Sequence, residues 1–252
     1  MRYFAAPDHI IRKIWGKSDT ILLIFAGSAA EFALNKAVDW LYFTGKIPKD
    51  PIGRLFSTVS YARKIIFASE QEAWQTIDAI NNIHAGVEIA RGNQIPQWAF
   101  RDVLYMLIHY SIAAFELLER KLTQAEKEAT YVNFLKLGQR MQINDLPAGY
   151  EEWRISYLQH QAQDLAYSPH TADLFKQYRK HLGAFRYRIL IESQKMVLPE
   201  IPARLLQLDK RSAIKPLLPL YKLLRATKTE WLLKNILLPK KYQQQIRDLD
   251  QQ

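Results

Sequence analysis

Six histidines and no cysteines set the range of chemistry open to this chain of 252 residues. Without a thiol there can be no thiolate-ligated haem, iron–sulfur cluster, zinc-thiolate site or disulfide framework. The histidines stand apart, at positions 9, 84, 109, 160, 170 and 181. A zinc protease would need His-Glu-x-x-His, which does not occur, and a di-iron bundle would need paired Glu-x-x-His motifs. Neither His84 nor His109 has a glutamate three residues before it. Nucleophile-elbow, Walker-loop and dinucleotide fingerprints are also absent. The main option left is a metal held by one histidine, and haem is the usual cofactor that needs so few protein ligands.

The elements that would position such a site lie between Asp50 and Gly92. Asp50 is a good N-cap, and Pro51 fits the first helical position, where its missing N–H costs nothing. This predicts a helix from about Pro51 to Ala68, with Leu55, Val59, Ala62 and Ile66 on its buried stripe. Arg54 and Thr58 fall four residues apart on one side of it. An arginine at that edge forms a surface salt bridge or, with its planar fork, holds a propionate or another anion. Ser69 and Glu72 form a capping box that opens a second helix. Trp74, Ile77, Ile80, His84 and Val87 recur there at steps of three and four, which places His84 in the apolar stripe as a satisfied core residue or a ligand. A third helix is predicted from about Gln97 to Lys121, apolar on nearly every side between Val103 and Ala114. His109 lies in its middle. A buried imidazole without a partner costs about 1–3 kcal/mol, so His109 must be a pocket residue or a structural hydrogen-bonder.

Taken together, Asp-Pro-x-Gly-Arg-Leu-x-x-Thr (Asp50 to Thr58), the helix with His84, the helix with His109 and the close Leu122-Thr123-x-x-Glu126 resemble the rubber-oxygenase and mpaB-type oxygenase family. The resemblance runs from about Thr20 to Trp153, and less clearly to Leu198-Pro199. It implies an all-α protein, a single multi-helix orthogonal bundle around a buried cofactor pocket. It also implies haem b as cofactor, with His84 as the axial iron ligand and Arg54, Thr58 and His109 lining the pocket. Dioxygen and an apolar, isoprenoid-type substrate would be the partners. If His84 Nε2 takes the iron, its Nδ1–H needs an acceptor, for which the Ile80 carbonyl is the candidate. The chain departs from its relatives twice: Gly27-Ser28 stands where many carry His-Pro, and Ser57 stands where rubber-cleaving members often have lysine. No general base can be assigned; Glu31 and Asp39 are the upstream acids.

Length and composition fit one domain over residues 1–252, with a core at about 18–198. The net charge of +10 admits an anionic membrane surface or nucleic acid, but no nucleic-acid module is recognisable, and none is expected as a partner. Residues 1–17 lack the apolar core and cleavage site of a secretory signal, so the expected location is cytoplasmic, at most peripheral to a membrane. One long helix is expected from Thr20 to Phe43, its apolar run too short to span a bilayer, where about 20 residues are needed. His160, His170 and His181 have polar neighbours and His9 lies near a terminus, and all four read as solvated. From 199 to 252, prolines 199, 202, 216, 219 and 239 cut the chain into short basic amphipathic helices. That segment is either a lid packed on the core or a surface for anionic lipid. A haem-free helical protein docking on membranes through this segment is the alternative to the oxygenase.

Overall fold

A computed structural model describes residues 2–43, 45, 50–209, 211–227, 229, 231, 234, 235, 240–248 and 250. Among them the regular structure is helical, with no strand. The first helices are α1 (Ile10–Trp15), α2 (Ser18–Leu34), α3 (Val38–Phe43), α4 (Pro51–Phe67), α5 (Glu70–Arg91) and α6 (Gln97–Leu118). They are followed by α7 (Gln124–Arg140), α8 (Tyr150–Asp164), α9 (Pro169–Val197), α10 (Glu200–Leu205), α11 (Leu218–Ala226) and α12 (Lys240–Arg247). The predicted starts hold. The Asp50 carboxylate accepts from Gly53 N–H at 2.9 Å, and capping boxes open α5 at Ser69 and α7 at Thr123.

α2 is the central element, packed chiefly against α6 and α9 and buried on almost every side. Its apolar run thus belongs to the core, and no described helix is long and apolar enough to cross a membrane. Close packing with α6 depends on Gly27, where an added Cβ would fall 2.2 Å from the Tyr110 ring. The expected single helix from Thr20 to Phe43 breaks at Asn35, whose backbone is extended (φ −68°, ψ 133°). The buried Asn35 side chain accepts from Ala37 N–H at 2.8 Å and donates to Asp102 at 2.5 Å. Backbone bonds from Lys36 N–H to Asp164 and from Ala166 N–H to Leu34 then tie the break to the end of α8. A short polar side chain that offers the backbone another partner ends the helix here.

α9 is likewise interrupted, at Gly183, which has φ 75°. At the C-terminal end α11 packs one side onto the core. Tyr221 donates to Asp19 at 3.1 Å, and Arg225 pairs with Asp19 at 2.8 Å and Glu119 at 2.5 Å.

Candidate cofactor site

The Asp-Pro-x-Gly-Arg sequence has a direct structural cause. The Asp50 carboxylate that caps α4 sits over Gly53, where an added Cβ would come within 2.4 Å of Oδ2. The next residue, Arg54, is half-buried one turn into the helix, and burial lowers its pKa. Its guanidinium donates to the Ser57 hydroxyl at 3.3 Å, and among the described residues no carboxylate pairs with it. The Ser57 and Thr58 hydroxyls both donate to the Arg54 carbonyl, at 2.8 and 3.3 Å. Ser57 is therefore occupied in orienting Arg54.

His84 faces this arginine from α5. Burial lowers its pKa first and the nearby Arg54 charge lowers it further, so the ring is neutral at physiological pH, the form that ligates metal. The Phe100 ring of α6 lies 5.0 Å away. His84 Nδ1 is buried and has no hydrogen-bond partner among the described residues, so the expected bond to the Ile80 carbonyl is not made. Beyond Ile80 the helix stands partly clear of the core: His84 and Val87 are half-buried, while Ile83 and Ile89 are exposed. A neutral imidazole, an arginine with no carboxylate partner among the described residues, an aromatic ring and an apolar flank are the donor types that suit a flat, apolar macrocycle with carboxylate arms. On donor chemistry the residues fit haem.

His109 is not brought to this face. It follows Phe100 by nine residues, two and a half helical turns, so it points from the opposite side of α6 about 13 Å further along. Its ring meets Tyr110 edge-on at 4.9 Å and lies tilted against Tyr157 at 5.0 Å, and it bonds the Val197 carbonyl. Burial brings its pKa down to about 4.

Sequence reasoning missed two buried clusters. Glu31, the one charge within the apolar run of α2, accepts from Tyr110 (2.6 Å), Tyr157 (2.8 Å) and Gln161 (3.3 Å) through one oxygen. Burial raises its pKa to about 7, and the three donors hold it back from rising further. A lone charge inside an apolar helix signals that partners must exist, but not which ones. Asp39, the other upstream acid, pairs with Arg91 at 2.8 Å, and Arg91 in turn covers the Trp40 ring.

The second cluster corrects the reading of His160 as solvated. It is 4% exposed, with Nε2 against Asp102 and Nδ1 2.7 Å from Asp164. Only Asp164, four residues on, was visible as a neighbour; Asp102 comes from α6. The three donor groups lie within 4.8 Å of one another and could hold a metal ion, although each ring nitrogen already faces a carboxylate. His9 and His170 are also less free than expected. His9 caps α1 by accepting from Ile11 N–H at 3.1 Å, and His170 stacks 4.3 Å from Tyr42. His181 is exposed, as expected.

An all-helical body carrying an arginine, a threonine and a neutral histidine on adjoining helices is the class defined so far. Residues 15–246 match the profile of the ER-bound oxygenase mpaB/B'/rubber oxygenase catalytic domain, and the chain belongs to that family. No curated protein and no solved structure matches it. Family membership makes the chain an oxidoreductase of the oxygenase type.

Proposed function

We propose that the protein is a haem b-dependent oxygenase in which His84 holds the iron, acting on an apolar substrate of the isoprenoid kind. The observation that carries this is His84 itself, a half-buried neutral imidazole on α5 facing Arg54, which has no carboxylate partner among the described residues. Bound haem would supply the iron centre at which dioxygen is activated. The chain's own residues bind and orient. Arg54 takes a propionate or other anionic group through charge-assisted bonds, and Ser57 fixes its fork. Thr58 lies one turn on from Arg54 along the same side of α4, and the tilted Phe100 ring packs against the imidazole and helps to orient it. His109, on the far side of α6, takes part only through the helix that carries Phe100.

Titration of the purified protein with haemin should produce a Soret band, and His84→Ala should lose most of it. Arg54→Ala should retain haem roughly tenfold more weakly, the loss of one charge-assisted bond, while the exposed His181→Ala should match wild type. Haemin that leaves the protein colourless sinks the proposal. Equal retention by Arg54→Ala and His181→Ala removes Arg54 from the site.

A second reading concerns where the enzyme works. Leu217, Leu220 and Leu223 are exposed at three-residue spacing along one side of α11 and its entry, next to exposed Arg211 and Lys215. Another side is fixed to the core by Tyr221 and Arg225. We infer peripheral attachment to an anionic bilayer through these leucines, so the segment is both lid and surface. Each leucine transferred into lipid contributes about 1.5–3 kcal/mol at full burial. The triple substitution Leu217→Ser, Leu220→Ser, Leu223→Ser should therefore reduce co-sedimentation with phosphatidylserine-containing vesicles at least tenfold. Wild-type protein that stays in the supernatant rules this attachment out.

A further inference from the structure

Five oxidisable rings of this protein form one continuous run. Trp153 stacks on Tyr157, one turn later in α8, with centroids 5.4 Å apart and planes 10° from parallel. Tyr150, Tyr131 and Tyr105 surround the same indole at 5.3, 6.2 and 6.1 Å. Tyr150, Trp153 and Tyr157 also line a cleft of about 280 Å³, where the run comes nearest to solvent. At its inner end Tyr157 donates to one Glu31 oxygen at 2.8 Å, the oxygen that also accepts from Tyr110 at 2.6 Å.

Glu31 gives Tyr157 a chemistry that its neighbours lack. Loss of one electron makes a phenol strongly acidic, and the radical persists only where a base takes the proton at once. Tyr157 has a carboxylate within hydrogen-bond reach, the geometry that proton transfer needs. The other hydroxyls of the run meet weaker partners: Tyr131 donates to the Pro147 carbonyl, and Tyr105 meets the Ser156 hydroxyl. Burial raises the Tyr110 and Tyr157 phenols well above their ordinary value and the Glu31 charge raises them further. Neither phenol therefore gives up its proton while it keeps its electrons. Tyr110 shares the base, but its ring packs edge-on against His109 and stands outside the stack on the indole. Electron transfer between rings requires proximity, not exposure, so burial of Trp153 is no obstacle.

We propose that Trp153 and Tyr157 form a radical sink, which draws a one-electron oxidising equivalent in from the cleft and stores it on Tyr157, with Glu31 as the proton acceptor. The oxidant is of the peroxyl-radical class, a by-product of oxygen chemistry on organic substrates. A peroxyl radical at the cleft takes one electron from Trp153 and a proton from water, and leaves as the hydroperoxide. Tyr157 returns an electron to the indole radical cation, and its O–H bond breaks as the proton passes to the Glu31 carboxylate. The products are a neutral tyrosyl radical, a Glu31 carboxylic acid and an intact Trp153. One electron from a reductant of the ascorbate class, with return of the proton from Glu31, restores the phenol. The inference depends neither on haem nor on membrane attachment.

The test uses the full chain with its two most exposed tyrosines removed, Tyr3→Phe and Tyr167→Phe (41% and 58% exposed). Photogenerated tris(bipyridine)ruthenium(III) serves as the oxidant at pH 8, above the Glu31 value of about 7, and electron paramagnetic resonance follows the radical. A long-lived tyrosyl signal is expected. Tyr157→Phe should remove it, Tyr110→Phe should keep it, and Trp153→Phe should slow its appearance. Glu31→Gln keeps an acceptor for both phenols but cannot take a proton, so it should shorten the lifetime about a hundredfold, the usual worth of a positioned base. That variant keeps the test decisive if Tyr157→Phe fails to fold. The absence of a tyrosyl signal, a signal unchanged in Tyr157→Phe, one lost with Tyr110 instead, or one equally long-lived in Glu31→Gln overturns the proposal.

Discussion

Glu31→Gln should make the fold progressively more stable than wild type as the pH rises from about 4.5 to about 7, by on the order of 3 kcal/mol across that window. Burial raises this carboxyl from its ordinary 4.5 to about 7. Below the lower value both the folded and the unfolded chain hold the proton, and Glu31 contributes no slope. Between the two values the folded state binds more protons than the unfolded state, so wild-type stability falls as pH rises. Above the folded value both states are ionised, and the loss is complete. Glutamine cannot ionise, yet its carbonyl can accept from Tyr110, Tyr157 and Gln161 as the carboxyl does. The difference between the two proteins therefore isolates this group from the other titrating residues. Denaturant unfolding at pH 5, 6, 7 and 8 would measure it. Parallel curves for the two proteins would mean that Glu31 is ionised in the fold at all these pH values. Glu31→Ala should instead lose about 3–5 kcal/mol at pH 5, because it leaves three buried donors without an acceptor.

The parts of this molecule that could be read in advance are those fixed within one turn of chain. The Asp50–Pro51 start, the Ser69–Glu72 and Thr123–Glu126 boxes and the enclosed middle of α6 each depend on residues three or four apart. The features that escaped depend on partners far along the chain. Asn35 ends α2 partly through Asp102, 67 residues later, and His160 is buried because that same aspartate meets it from another helix. The site shows the same division. Arg54 and Thr58 share a face by spacing alone, whereas the separation of His109 from His84 requires knowing that Phe100, not His109, turns toward α5. Family resemblance supplied the residue types, and packing decides which of them meet.

The departure at Gly27-Ser28 shows how far packing can commit a chain, and it leads to the second large effect: Gly27→Ala should lose about 3 kcal/mol, at the upper end for overpacked cores, and lower the melting temperature by roughly 10 °C. The new Cβ would lie 2.2 Å from two atoms of the Tyr110 ring, far inside contact distance. That ring cannot simply swing aside. It is fully buried, and its hydroxyl is tied to Glu31, one turn further along the same face of α2. Relief therefore requires α2 and α6 to move apart at the centre of the bundle. The histidine that many relatives carry there would demand still more space, so in this chain the position has been given over to packing against Tyr110. Gly86 supplies the control. It is helical and exposed, and an added Cβ meets nothing within 4 Å. Gly86→Ala should stabilise the protein by about 0.5–1 kcal/mol through helix propensity alone. Opposite signs for the same substitution in two helices are the expected result, read by thermal and denaturant unfolding; a Gly27→Ala protein as stable as wild type would mean that α2 and α6 have room to spare where the structure puts them in contact.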